Sequence, residues 1–126
     1  MRLAAIDIGS NAARLLISEV VLIENGKAQF QKLNLVRVPL RLGFDVFEKR
    51  MITPDRVEMI MNTLKAYRLL IDAYGVPLKH VKAVATSAMR DAKNANEIIA
   101  AVKNATDIEI EVISGDNEAA LIYENH

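Results

Sequence analysis

Apolar positions along this chain change their period several times, and each change marks an element. Leu3 to Ile8 is a nearly unbroken apolar run stopped by Gly9, the pattern of a central strand buried on both faces. Leu15 to Ile23 is a second run, and it leads into Asn25-Gly26, the dipeptide best suited to positive φ at both centres of a type I′ hairpin turn. A third strand, Lys27 to about Val38, then lies antiparallel to the second. Phe30 and Val36 share one parity there and Leu33 and Leu35 the other, which predicts a bulge or a twisted edge. From Leu40 to Met51 no period holds. With Arg37, Arg41, Gly43 and Arg50 scattered around it, this segment reads as a surface excursion between strand and helix, mobile or partly helical, with a role in substrate contact as the less favoured alternative.

The period then becomes helical. Thr53-Pro54-Asp55 supplies a hydroxyl cap, a proline at the first helical position and a carboxylate facing the positive end of the helix dipole. Val57, Ile60, Leu64, Tyr67, Ile71 and Tyr74 follow at alternating spacings of three and four, and Gly75 with Pro77 closes the helix. Val81 to Ala85 is a further strand, ending in the polar stretch Thr86 to Asn94. Asn94 and Glu97 form a capping pair for a helix that buries Ala95, Ile98, Ile99 and Val102. Ile108 to Ile113 reads as the fifth strand, after which Ser114 caps a last helix running through Leu121 and Ile122 to the terminus. The order βββαβαβα predicts an α/β domain with a mixed five-stranded sheet and flanking helices.

Composition narrows the function. The chain has 126 residues, enough for one domain with its own core, and its 16 basic residues balance its 16 acidic ones. That balance argues against nucleic acid and anionic membrane as partners, so any phosphate recognition has to come from local geometry. Cysteine is absent, which excludes disulfide scaffolds and thiolate metal sites and suits a reducing cytoplasm. No apolar run reaches transmembrane length, and Asp7 interrupts the stretch that a signal peptide would keep apolar. His80 and His126 lack metal-ligand spacing and are assigned surface or structural roles. Ser10 and Ser87 have no adjacent histidine base, so a serine nucleophile is unsupported.

Three polar clusters fall at the carboxyl ends of predicted strands, where open sheets with helical crossovers collect their ligands. They are Asp7 to Asn11, Thr86 to Asn94, and Ser114 to Glu118. The first either simply turns the chain or suits a phosphate held by turn amides and by Ser10 or Asn11, with Asp7 organising a divalent cation through water. In the second, Arg90 either clamps a phosphate with its planar fork or is a solvated residue on a helix start. In the third, Glu118 is the candidate for chemistry, because a carboxylate in the first turns of a helix stays ionised and can orient or deprotonate water. Stabilisation of the helix start explains a glutamate such as Glu118 more often than catalysis does, and Asp116 has the same explanation with no counter-argument.

Taken jointly, DIGSN near the start, ATSAMRDAKN in the middle and IEVISGDNEAALIY near the end closely resemble the N-terminal domain of the exopolyphosphatase and guanosine pentaphosphate phosphatase family. The resemblance implies an actin-like, ribonuclease H-like domain of a magnesium-dependent hydrolase that cleaves terminal phosphoanhydride bonds of inorganic polyphosphate or guanosine pentaphosphate. It puts Glu118 on the catalytic base, Arg90 on the phosphate-contacting arginine, Asp7 on the carboxylate near the metal, and Gly9, Ser10 and Asn11 on the first phosphate loop. Two departures stand out. Ala120 occupies a position where relatives commonly carry arginine. The family also continues into a second, C-terminal domain beyond the point corresponding to His126, so this chain is expected to carry one half of the cleft, to hydrolyse little or nothing alone, and to self-associate through the surface a partner domain would cover. The rival readings are a non-catalytic polyphosphate or nucleotide-binding module and an actin-like kinase or ATPase domain.

Overall fold

A computed structural model of the chain describes residues 1–114. Five strands form one sheet in the order β3-β2-β1-β4-β5. They are β1 (Arg2–Ile8), β2 (Ala12–Leu22), β3 (Ala28–Pro39), β4 (Val81–Ala85) and β5 (Ile110–Val112). The first three are joined antiparallel, whereas β4 pairs parallel with β1 and β5 parallel with β4. The helices are α1 (Leu42–Lys49), α2 (Pro54–Ala73), α3 (Ser87–Asp91) and α4 (Ala95–Thr106), and a short 3₁₀ turn, Leu78–His80, leads into β4. The last helix expected after Ser114 lies outside the described residues.

β1 is central, as its apolar run predicts, but it is not buried alike on both sides. Ala4, Ile6 and Ile8 are at most 3% exposed, while Leu3, Ala5 and Asp7 on the other face are only half-buried. The main hydrophobic cluster takes the first face: Ala4, Ile6 and Ile8 join Ala13, Leu15 and Ile17 of β2, Ala83 and Ala85 of β4, and the inward residues of all four helices. An apolar run therefore set the strand's central position but not which helices would cover each side.

The hairpin at Asn25-Gly26 has positive φ at both residues, 84° and 72°. It is nevertheless one residue longer than a two-residue type I′ turn. Ile23 N–H donates to Lys27 O at 3.0 Å and Gly26 N–H to Ile23 O at 3.2 Å, which encloses Glu24, Asn25 and Gly26 in a three-residue loop. The expected bulge is present: the β2–β3 register shifts between Ile17 and Ser18, stepping from Asn34 to Lys32, so that Leu33 is the extra residue.

The segment after Pro39 differs from its sequence reading. It folds as helix α1, pinned by Leu40, Leu42, Val46 and Ile52, each at most 5% exposed. The irregular polar pattern conceals two anchors four residues apart, a helical spacing too short to register as a period. In α2, Ile60, Leu64, Tyr67 and Ile71 are buried as predicted, and the Tyr67 hydroxyl, deep under the sheet, donates to Ala13 O at 2.9 Å. Gly75 at φ 69° ends the helix, with Val76 N–H donating to Ile71 O and Gly75 N–H to Asp72 O, which satisfies two terminal carbonyls.

Two predicted caps work differently. Thr53 precedes α2 in extended conformation, but its side chain does not cap the helix amides; its hydrogen bond to the Asp55 carboxyl is the main reason that group is held below its ordinary value. Asn94 does not cap α4 either. Its amide reaches across to Ile52, accepting from Ile52 N–H at 3.0 Å and donating to Ile52 O at 2.9 Å. The buried backbone of the α1–α2 linker, which lacks a ladder of its own, takes precedence over an exposed helix end.

Candidate phosphate site

Hydrogen bonds between strand ends fix where the polar turns begin. Thr86 N–H donates to Ile8 O at 3.0 Å, extending the β1–β4 ladder by one step, and Ile113 N–H donates to Ala85 O at 3.0 Å, doing the same for β4–β5. Because β1, β4 and β5 run parallel, their carboxyl ends share one end of the sheet. Gly9, Thr86 and Ser114 therefore stand side by side at that end.

The first two also touch through side chains. Ser10 Oγ and Ser87 Oγ are 2.7 Å apart, a hydroxyl–hydroxyl hydrogen bond that ties the first turn to the start of α3. Gly9 gives its N–H to Ala12 O at 2.9 Å, so its contribution is the shape of the turn and not a free amide. Behind the turn, Asn11 O accepts from Leu40 N–H at 2.8 Å and Arg41 N–H at 2.9 Å, and Ser10 O accepts from Gly43 N–H at 2.9 Å. The start of α1 thus backs the turn. A Cβ at Gly43 would stand 3.2 Å from Ser10 Cβ, so this close approach favours glycine.

Asp7 lies on the half-buried face of β1, directly opposite Arg14 in the β1–β2 register. Its Oδ2 accepts from Arg14 Nη2 at 2.6 Å, while Oδ1 is buried and has no protein partner. Among the described residues, no group of three or more His, Cys, Asp or Glu side chains is placed to hold a metal ion. Magnesium typically keeps several waters and uses one or two carboxylates with phosphate oxygens. A single free carboxylate oxygen fits a hydrated ion that arrives with a phosphate ligand; it does not fit a cage made of protein alone.

Arg90 stands at the end of α3, exposed but engaged. Nη1 donates to Ile113 O at 3.1 Å, and Nε lies 3.9 Å from the Asp91 carboxylate. It therefore ties the exit of β5 to α3 and brings a permanent positive charge to the start of the third cluster. Glu118, Asp116 and Ala120 lie outside the described residues. His80, at the other end of β4, is half-buried with its Nδ1 unpartnered, away from the polar turns.

Arg14 and Gly43 belong to this site and were not singled out as parts of it from the sequence, and Ser87 entered it only as a member of the Thr86 to Asn94 cluster. Arg14 was legible in principle, since pairing β1 with β2 through the Gly9 turn sets it opposite Asp7. Gly43 joins, and Ser87 meets Ser10, through tertiary contact alone.

The model of the Ppx/GppA phosphatase family matches residues 20–125 of the chain. The chain belongs to the Ppx/GppA phosphatase family. Among curated proteins, it is 38% identical over 125 residues to a bifunctional 3-dehydroquinate synthase/phosphatase of Fusobacterium nucleatum, covering 95% of the chain and 18% of that protein. Among solved structures, a Ppx/GppA family member of Aquifex aeolicus superposes with a TM-score of 0.82 at 40% identity, over 94% of this chain and 36% of that one. An exopolyphosphatase of Cytophaga hutchinsonii superposes with a TM-score of 0.83 at 33% identity, over 98% and 37% respectively. This Ppx/GppA chain thus has the actin-like fold and spans little more than a third of its solved relatives. No described helix is long and apolar enough to cross a membrane.

Proposed function

We propose that the chain forms one wall of a cleft that hydrolyses terminal phosphoanhydride bonds of inorganic polyphosphate or guanosine pentaphosphate. The observation that carries this reading is the pair of strand-end hydrogen bonds, Thr86 to Ile8 and Ile113 to Ala85, which start the polar turns beside one another. Ser10, Ser87 and Asn11 would hold the terminal phosphate, and Arg90 would turn its fork toward the same group. Asp7 Oδ1 would hold hydrated magnesium, which supplies charge neutralisation on the phosphate oxygens when bound. Glu118 takes a proton from water as the water oxygen attacks the terminal phosphorus; the bond to the bridging oxygen breaks, releasing inorganic phosphate and the shortened chain.

Phosphoryl transfer depends on positioning and charge stabilisation from both sides of the cleft, so the isolated chain should show little turnover. Fusing it to the remaining part of the Aquifex relative should restore phosphate release. Glu118→Gln in that fusion should abolish release while leaving substrate binding in place. Full activity of Glu118→Gln would refute the role of Glu118, and brisk turnover by the isolated chain would refute the half-cleft. A cytoplasmic location and self-association through the uncovered surface belong to the same reading; light scattering tests the latter.

A further inference from the structure

Helix α1 holds an aromatic pair in water beside the phosphate turn. Phe47 is 88% exposed and Phe44 71% exposed, although the helix is already anchored by Leu42 and Val46. Their position relative to the turn follows from helix geometry. Gly43 faces the turn, donating its N–H to Ser10 O and leaving only 3.2 Å between a Cβ built on it and Ser10 Cβ. Phe47 comes four residues later and so stands on the same side of the helix, one turn along, with Phe44 three residues before it as its neighbour. Exposed Arg41 and Arg50 bracket the helix, one at each cap, both in left-handed conformation at φ 55° and 56°.

An exposed ring one helical turn from an anion-holding loop, flanked by arginines, matches a ligand that joins a flat ring to a phosphate chain. We infer that Phe47, with Phe44 beside it, is a stacking platform for the base of a nucleoside polyphosphate, which makes such a compound the preferred ligand of this site over the bare phosphate polymer. The inference rests on the phosphate-turn reading above. Stacking on a phenylalanine face tolerates any base, so the platform separates base-bearing from base-free ligands without choosing among bases.

The test uses the 126-residue chain with GTP and inorganic tripolyphosphate, each with magnesium, in equilibrium titrations. GTP should bind about 10-fold more tightly than tripolyphosphate, and Phe44→Ala/Phe47→Ala should remove that advantage while changing tripolyphosphate affinity by less than about twofold. The chain contains no tryptophan, so Phe47→Trp adds a lone reporter whose emission GTP should quench and tripolyphosphate should not. Both phenylalanines are exposed, so the variants should keep the parent's thermal midpoint. Equal affinity for the two ligands, unaltered by the alanine variant, would overturn the platform. An alanine variant that shifts only the monomer–dimer balance would overturn it too, assigning the rings to a protein contact. If neither ligand binds, the phosphate-turn reading falls and the platform with it; tripolyphosphate binding separates that failure from failure of the platform alone.

Discussion

The two faces of the sheet make different demands on the chain. On one, Ala4, Ile6 and Ile8 of β1 meet Ala13, Leu15 and Ile17 of β2 in a cluster shared with the helices. On the other, the same strands present Leu3, Ala5 and Asp7 beside Arg14 and Leu16, half-buried or exposed, with an ion pair at the carboxyl end of β1. The packed face determines where the strands lie. The second face can carry charge because it is less desolvated, and that allows a carboxylate on a central strand next to the first polar turn.

The comparison is most open to disproof on the packed side. Ile6→Ala should cost about 2–5 kcal/mol through lost transfer energy and a residual cavity, whereas Leu35→Ala, at a position 50% exposed on the second face of β3, should stay within about 1 kcal/mol. Denaturant titration of both variants checks this, and similar losses would erase the distinction between the faces.

Next in size is Tyr67→Phe, expected to cost about 1 kcal/mol by removing the hydroxyl donated to Ala13 O. Burial raises the Tyr67 phenol from its ordinary 10 to about 12. The neutral phenol is thus favoured by the fold, and this contribution is complete below the unfolded value and lost as pH rises through the folded one. Wild-type stability should fall across that window and the Phe variant should lack this component; parallel alkaline limbs in the two proteins would contradict it.

On the second face, Arg14→Ala should change stability by less than about 1 kcal/mol, and the difference should shrink further in high salt. The smallest effect concerns Asp55, whose lowered value is set first by the Thr53 hydrogen bond. Its contribution is present above the ordinary 3.8 and lost as pH falls through the lower folded value, so Asp55→Asn should be slightly less stable than wild type at neutral pH and should converge with it in acid. A gap between the two proteins that stays open as pH falls would argue against this assignment.

The strands, the α2 stripe and the first two polar clusters were legible in the sequence because each has a local cause: a period or a glycine stop. What escaped depends on contacts between distant segments. Helix α1 hid behind two anchors, Leu42 and Val46, and the use of Asn94 is fixed by Ile52, which no local pattern links to it. Within the site, Asp7, Gly9, Ser10, Asn11 and Arg90 stood out as residue types at strand ends. Ser87, one of the Thr86 to Asn94 cluster, met Ser10, and Gly43 joined, only once the sheet had set Ile8 beside Thr86 and α1 against Ser10.

The Asn94–Ile52 clamp also constrains the order of assembly. The α1–α2 linker receives both of these hydrogen bonds from a side chain 42 positions further along, so its final geometry waits on a long loop closure. During synthesis on the ribosome, the α1–α2 linker can therefore take its final geometry only after α2, β4 and α3 have emerged.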